Sequence, residues 1–335
     1  MSVAAQCANL DDARSLRIAL IDELRLLVPF EAFAWLLTDP TTEVGTAPIA
    51  DVPCLPELPR LIRLKYTTEV NRWTRQAEPV ARLHAVTGGK LEESRVWREL
   101  LADHGVSDVA SIVFRDRFGC WSFLDLWRIG SAFTSREAGV LARHVPAITA
   151  ALRRCTLRTF SHSAPRASAS PTTGPIVLML SNRLEVRAQT PETEHYLRAL
   201  VPPEADRRPV PAGAYNVAAQ LLAVEAGIDD HPPTARVHLD AGRWLTLRAA
   251  RIDDDIAVTI ETAAPSERLD VFGRSAGLTT RETELIDLLA AGNDTRAVAE
   301  RMYVSEYTVQ DHLKAIFAKT GARSRSALLA SVTGV

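Results

Sequence analysis

The stretch RMYVSEYTVQDHLKAIFAKTGARSR, residues 301–325, decides how this chain is interpreted. Its middle has the periodicity of a helix with one buried side, since Val309, Leu313, Ile316 and Phe317 follow the spacing i, i+4, i+7, i+8. A helix of this kind packs its apolar side on neighbouring helices. Its other side is polar, and the question is which surface this polar side contacts.

The flanking residues predict further short helices. Thr279 and Glu282 have the spacing of a capping box, in which each side chain bonds the other's backbone amide. A tight apolar turn, MYV, precedes the central helix. The other boundaries are a helix stop at Gly292, a short helix over 295–302, N-caps at Ser305 and Ser324, and a stop at Gly321. Four short helices with a tight turn between the second and third predict a helix-turn-helix module over residues 275–335.

The outward side of the central helix mixes small and polar side chains. Asp311, Lys314, Ala315 and Ala318 lie opposite the apolar side, with Gln310 beside them. The major groove of B-DNA accepts a helix, and its base edges are read by this mixture of donors, acceptors and methyl groups. The pattern alone is equally compatible with a solvated helix face.

Charge is unevenly distributed along this module. Residues 277–306 have a balance of −3, whereas residues 307–335 have a balance of +3. The last third therefore suits an anionic partner better than the net charge of −2 for the whole chain implies.

The segment LTTRETELIDLLAAGNDTRAVAERMYVSEYTVQDHLKAIFAKTGARSRSALL resembles the LuxR-type (NarL/FixJ/GerE-like) helix-turn-helix family. The matching features are Leu278, Thr279, Arg281, Glu282, Leu288, Gly292, Ala299, Val304, Ser305, Thr308, Val309, His312, Lys319, Gly321, Arg323, Ser324 and Arg325. The resemblance implies a transcription regulator whose helix over residues 308–319 enters the major groove. It implies DNA contacts from Ser305, Thr308, Gln310, Asp311, His312, Lys314, Ala315, Lys319, Arg323 and Arg325. Asp311 departs from the family, in which a basic or neutral residue is common at that position.

The last helix resembles the one through which LuxR-type modules pair. Ala327, Leu328 and Val332 share one side of it, so a homodimer on double-stranded DNA with contact through these residues is expected. The alternative is that they pack only on the module's own first helix.

Two breaks divide the rest of the chain. TFSHSAPRASASPTTGP is rich in Ser, Ala, Thr and Pro, and predicts a flexible linker over residues 157–175. AAPSER, residues 263–268, is a second and shorter break. The predicted fold class is therefore multidomain, with an α+β domain over 1–156, a second α+β domain over 176–262 and the all-α module.

Element order suggests the type of each α+β domain. The first combines helices with the strand FEAFAWLLTD and with a strand pair in VASIVFRDRFGCWSFLDLWR that turns at residues 116–119, and it resembles a GAF domain. The second has strands IVLML and LEVRAQ, helices over 192–201 and 215–226, and strands ARVHLD, RWLTLRAA and DIAVTIET, and it resembles a PAS domain. Both resemblances imply sensory domains.

The sequence shows no pattern that indicates catalysis, a metal site or a cofactor. Trp121, Phe123 and Trp127 share a strand face and suit a packed core better than a ligand pocket. The four cysteines are far apart, and the eight histidines show no metal-binding spacing. No nucleophile–base–acid set emerges, so we expect no catalytic residues, no metal and no cofactor.

Together these observations predict a cytoplasmic, sequence-specific transcription regulator. We expect no secretory signal, because MSVAAQCANLDDARS lacks a basic start followed by an apolar stretch, and no apolar run in the sequence approaches the length of a membrane span. RNA polymerase is a candidate partner, and the ligand is unknown. The alternative is a protein-interaction regulator whose sensory region binds a partner protein rather than a small molecule.

Overall fold

The computed structural model describes residues 2–160, 174–200, 211–240 and 242–334. The chain divides into two compact units. The first comprises Met1–Leu152, Pro171–Val237 and Thr246–Glu261, and the second comprises Arg153–Ser170, His238–Leu245 and Thr262–Val335. Most of the predicted linker, residues 161–173, lies outside the described residues.

The first sheet has five strands in the order β2-β1-β5-β4-β3. Its strands are β1 Ala32–Thr38, β2 Gly45–Asp51, β3 Val80–Arg82, β4 Val106–Asp116 and β5 Gly119–Ile129. The predicted strand after residue 30 is confirmed, and so is the strand pair, in which Asp116 lies opposite Gly119. Strand β2 was not predicted, because its sequence GTAPIAD contains Gly and Pro, which rarely signal a strand.

Helices accompany this sheet. They are α1 Val3–Asn9, α2 Ala13–Leu27, α3 Leu58–Tyr66, α4 Leu83–Val86, α5 Arg95–Glu99 and α6 Ser135–Arg158, with short 3₁₀ helices at Leu55–Glu57, Leu91–Glu93 and Leu101–His104. Helix α6 extends past the predicted domain end at residue 156 and includes two residues assigned to the linker. The 3₁₀ turn Leu91–Glu93 and helix α5 are separate, because Ser94 between them has an extended backbone (φ −79°, ψ 117°).

The second sheet also has five strands and repeats the same order, β7-β6-β10-β9-β8. Its strands are β6 Ile176–Leu180, β7 Val186–Gln189, β8 Thr234–Asp240, β9 Arg243–Ile252 and β10 Asp255–Thr262, and its helices are α7 Pro191–Leu200 and α8 Ala212–Glu225. All five strands and both helices were predicted from the sequence. Within the first unit, α8 packs on α3 and β2, so the two predicted α+β domains share one compact body there.

Five helices complete the second unit. They are α9 Pro265–Ala276, α10 Thr280–Ala290, α11 Thr295–Met302, α12 Glu306–Thr320 and α13 Arg325–Thr333. The last four were predicted, and the predicted N-caps Thr279, Ser305 and Ser324 are confirmed. The cap of α11 at Asp294 was not predicted. AAPSER directly follows the end of the first unit at Glu261 and the first residue of the second unit, Thr262. It is not a loop throughout, however, because α9 begins at Pro265 and buries Leu269, Val271 and Phe272 in the same core as α10–α13.

Candidate functional site

Helix α12 is held in place by one buried face. Val309 and Ile316 are completely buried, and Leu313 is nearly so, in a core that includes Leu285 of α10 and Val298 of α11. The inward face predicted from the sequence is therefore confirmed. Because these contacts fix the rotation of α12 about its axis, they also decide which residues face solvent.

The turn before α12 positions its N-terminus. Tyr303 ends α11 with a left-handed backbone (φ 56°), and Ser305 caps α12 by accepting a hydrogen bond from the amide of Thr308 at 3.1 Å. The two hydroxyls of Ser305 and Thr308 also lie 2.9 Å apart. The side-chain hydroxyls of Ser305 and Thr308 thus stabilise the N-terminus of α12. The turn between α11 and α12 is tight, as predicted.

The solvent face of α12 carries the predicted reading residues. Gln310, Asp311 and Lys314 are exposed, and Ala315 is half-buried. The ammonium of Lys314 lies 3.0 Å from a carboxylate oxygen of Asp311 and 5.9 Å from the centre of the Tyr307 ring. Donor, acceptor and small apolar group therefore stand side by side, and the one acidic group lowers the positive charge of this face.

Two predicted DNA contacts have partners inside the module. Lys319 lies 2.6 and 2.8 Å from the two carboxylate oxygens of Glu282 in α10. Burial raises the pKa of Glu282, but the hydrogen bonds from Lys319 and Thr279 outweigh it and lower the pKa overall. Arg325 donates to the backbone carbonyl of Asn293. Both cations join helices, so a phosphate would have to compete for them.

The remaining predicted contacts lie at the edges of α12. His312 is half-buried beside the apolar face, and Arg323 is exposed in the turn after Gly321. Arg323 has no ion-pair partner among residues 242–334. It is thus accessible to an external anion.

Sequence reasoning missed two exposed aromatic side chains. Tyr303 and Tyr307 are 94% and 73% exposed, at the start of α12. Tyr303 was grouped with Met302 and Val304 as an apolar turn, but only those two pack inward. A phenol can donate to a phosphate oxygen, so both rings extend the candidate interface.

Helix α13 uses its apolar residues internally. Leu328 and Val332 are 0% and 1% exposed and belong to the module's core, whereas Ala327 is exposed. Arg268 of α9 binds its C-terminal end, donating to the carbonyls of Val332 at 2.8 Å and Ser331 at 3.1 Å. The predicted dimer contact therefore cannot include the Leu328 and Val332 side chains without unpacking the module, and it retains only Ala327.

Comparison with known families identifies this arrangement. Residues 276–332 match the family of bacterial regulatory proteins, luxR family. The C-terminal module is a LuxR-type DNA-binding domain. The match begins at the last residue of α9 and ends at Val332 in α13, so it does not extend into the region before residue 276.

Other comparisons add little to this assignment. No curated protein matches the chain. Among solved structures, SdiA of Escherichia coli is 11% identical, with 98% of this chain and 94% of that chain aligned and a TM-score of 0.36. So low a TM-score does not identify the fold of the region before the LuxR-type domain.

The first unit contains a cavity of about 210 Å³ between one face of the first sheet and helices α3 and α8. Phe123 and Trp127 line it, whereas Trp121, predicted on the same face, does not. Its lining is mostly apolar, with polar groups from Lys65 and Asp125 among others. The cavity was not foreseen, since the three aromatic residues suited a packed core.

One acidic cluster in the first unit has the composition of a metal site. Asp229, Asp230 and His231 bring one ligand atom each to within 4.8 Å of one another. Asp229 is nevertheless engaged, since its carboxylate binds Arg72, Thr74 and the His231 ring. The cluster is an ion-pair network between the two predicted α+β domains.

In the described ranges, no helix combines the length and apolar character that a membrane crossing requires.

Proposed function

We propose that this chain is a sequence-specific transcription regulator whose helix α12 reads the major groove of double-stranded DNA. The observation that carries the proposal is the solvent face of α12, where Gln310, Asp311 and Lys314 stand beside Ala315 in a domain of LuxR type. Gln pairs with adenine, Lys with guanine or phosphate, and Asp with the amino group of cytosine. The first unit senses the signal, a ligand or a partner protein.

The second part of the proposal concerns the phosphate contacts. Arg323, Tyr303 and Tyr307 flank α12 and are exposed. Phosphate contacts orient a protein on the duplex and do not choose the sequence, which fits residues at the edges of the reading helix. Ser305, Thr308 and His312 support the helix start and its apolar side, and Lys319 and Arg325 bind DNA only if they leave their internal partners.

A dimer completes the proposal. One reading helix covers too few base pairs to define a promoter, and two-fold dimers solve this with half-sites about one helical turn apart. Of the three residues predicted for such a contact, Ala327 is exposed and remains available. Because this surface is small, we expect pairing on DNA rather than in free solution.

The test is binding of the full-length chain to DNA selected from a random pool. Lys314→Ala should weaken binding by about 1–3 kcal/mol if Lys314 reads a base. If it holds a phosphate, the loss should be equal for all sequences and the salt slope should fall by about one unit. The matched control is Lys90→Ala, an exposed lysine of the first unit. The proposal is wrong if no sequence is enriched, or if both variants bind like the wild type.

A further inference from the structure

The cavity of the first unit exists because one row of the sheet carries small or polar side chains. Ala50 pairs with Ala34, Ala34 pairs with Asp125, and Asp125 pairs with Ser111, so four neighbouring strands contribute one residue each. The rows on either side contain the large rings of Phe123 and Trp127. The small row leaves a depression in the sheet, and α3 and α8 cover it without filling it.

The cavity is large and its lining is mostly apolar. A volume of about 210 Å³ is an order of magnitude above the roughly 10–15 Å³ that one water needs. Apolar cavities of about 150 Å³ already bind benzene. The apolar walls come from the sheet and from α3, with Leu58, Leu61 and Ile62 on the helix. A molecule larger than a single aromatic ring can therefore be accommodated.

Polar atoms without partners are concentrated in the residues of this lining. Within the described parts of the chain, the buried atoms Asn71 Nδ2, Ser111 Oγ, Asp125 Oδ1 and Asn216 Oδ1 have no hydrogen-bond partner. Each of these residues lines the cavity, and the last three are more than nine-tenths buried. An unpaired buried polar group costs about 1–3 kcal/mol. Four such groups around one cavity indicate a site completed by a bound molecule.

The charge at the cavity is already balanced. Lys65 of α3 lies 2.8 Å from Asp125 Oδ2, and this pair connects the covering helix to the sheet. The free oxygen Oδ1 therefore offers an acceptor, while the carboxylate charge is met by the ammonium. A charged ligand would leave its own charge unpaired among apolar walls, which is costly. The geometry favours an uncharged ligand.

We propose that this cavity binds an uncharged small molecule with an apolar body and one polar end that both donates and accepts hydrogen bonds. This inference rests on the proposed regulator function, and it identifies the bound molecule as the signal that the regulator senses. Asp125 and Asn216 accept from the ligand's donor, Asn71 donates to its acceptor, and the Ser111 hydroxyl serves either role. Phe123 and Trp127 contact the apolar body.

Asn216 connects the cavity to the second predicted α+β domain. Asn216 lies on α8, in the second predicted α+β domain, and its Nδ2 donates to the Gly45 carbonyl of β2 at 2.8 Å. The same side chain thus holds α8 to the first sheet and offers its free oxygen to the ligand. A bound molecule would strengthen this contact between the two predicted domains.

The experiment uses two probes of equal shape. N-benzylacetamide has an N–H donor that benzyl acetate replaces by an ester oxygen. Affinities for the full-length chain are measured by ligand-observed NMR titration. We expect the amide to bind at least tenfold more tightly, because a site with buried acceptors rejects a ligand that leaves them unpaired.

Two variants assign the binding to the cavity. Ala34→Leu fills the small row and should abolish binding of both probes, whereas Ala8→Leu makes the same change at an exposed position of α1 and should leave both unchanged. The double variant Lys65→Met, Asp125→Ala removes both partners of the ion pair and keeps the row of small side chains open, and apolar replacement of a whole buried pair costs little stability. It should retain the ester affinity within about twofold and lose the preference for the amide.

The outcomes are decisive for the ligand. Absence of binding by both probes, equal affinities in the wild type, or amide binding that survives Ala34→Leu would each overturn the proposal. DNA affinity of the same preparations is measured in parallel. A chain that binds DNA but neither probe refutes only the ligand, and a chain that prefers the amide but binds no DNA refutes only the regulator function.

Discussion

At the scale of single residues, Asp311 is the feature of the proposed reading helix α12 that departs from the LuxR-type pattern. It is exposed on the face that also carries Lys314, and the two side chains form an ion pair at 3.0 Å. Exposed pairs of this kind contribute little to stability. If α12 reads DNA as proposed, the consequence of this pair lies in recognition, because a carboxylate next to the phosphates is repelled unless it accepts from a cytosine amino group.

We predict that Asp311→Asn strengthens binding to random-sequence duplex roughly 3–10-fold at low salt, because it removes the repulsion between carboxylate and phosphate. Fluorescence anisotropy with a labelled duplex measures this. Asp103→Asn, at an exposed position of the first unit, is the matched control and should have no effect. Unchanged binding by Asp311→Asn would place Asp311 away from DNA.

The sequence predicted single residues well where one periodicity decided their environment. Val309, Leu313 and Ile316 were placed inward by spacing, and they are buried. Tyr303 was misplaced, because a left-handed residue interrupts the helical periodicity and turns its side chain outward. Asp125 could not be recognised, since its place opposite Ala34 and Ser111 depends on strand register.

At the scale of elements, the module is built from short helices fastened by polar contacts. Capping boxes and serine caps were readable because they occupy fixed offsets. Helix α9 was missed, although Pro265 at its first position is a usual helix start, because Ala, Pro and Ser together were taken as a break. The ion pair of Lys319 and Glu282 joins α12 to α10 over 37 positions, a distance at which sequence patterns give no signal.

Val309→Asp should unfold the LuxR-type domain, because it places a carboxylate without a partner in the core between α10 and α12. We expect a loss of at least about 3 kcal/mol, seen as reduced helical circular dichroism of the full-length chain. Gln310→Asp introduces the same group on the adjacent exposed position and should leave the signal unchanged. A folded Val309→Asp domain would mean that the inward face is assigned incorrectly.

Lys319→Met should destabilise the domain by about 1–3 kcal/mol in urea unfolding, since it leaves the buried Glu282 carboxylate without its cation and with only the hydrogen bond from Thr279. Adding Glu282→Gln removes that charge and keeps the capping box, so stability should recover. DNA affinity of the double variant then decides the remaining question. Affinity equal to the wild type gives Lys319 an internal role, and a lasting deficit gives it a phosphate contact.

At the scale of the whole molecule, a cavity and an ion-pair network organise the first unit. Arg72 of the first predicted domain binds Asp229 of the second, with His231 on the other carboxylate oxygen. Burial works to raise the pKa of Asp229, but the bonds from His231, Thr74 and Arg72 outweigh it and lower the pKa. The element order of the second α+β part was predictable, and that of the first only in part, since β2 was missed. Their union in one unit was not predictable, because it depends on contacts far apart in sequence.

This network predicts a pH dependence of the first unit. The hydrogen bond to Asp229 raises the pKa of His231, so protonated His231 stabilises the fold. Its contribution is fully present below the unfolded value of about 6.5 and is lost as pH rises through the higher folded value. Asp229 acts oppositely, and its contribution is lost as pH falls below about 3.9.

Urea midpoints of the full-length chain between about pH 5.5 and pH 9 test the histidine. The midpoint should fall across this range, and His231→Gln should flatten the fall. His84→Gln, at an exposed position, should retain the wild-type slope. A slope that is unchanged in His231→Gln would assign the pH dependence to other groups.

The central claim is that α12 reads the major groove from a two-fold dimer. Dimethyl sulfate methylates guanine N7 in the major groove and adenine N3 in the minor groove, so its footprint on a selected duplex tests the claim most directly. We predict protection of N7 in two patches about one helical turn apart, lost in both patches with Lys314→Ala. A single patch, protection confined to adenine N3, or an N7 footprint that Lys314→Ala leaves intact would contradict it.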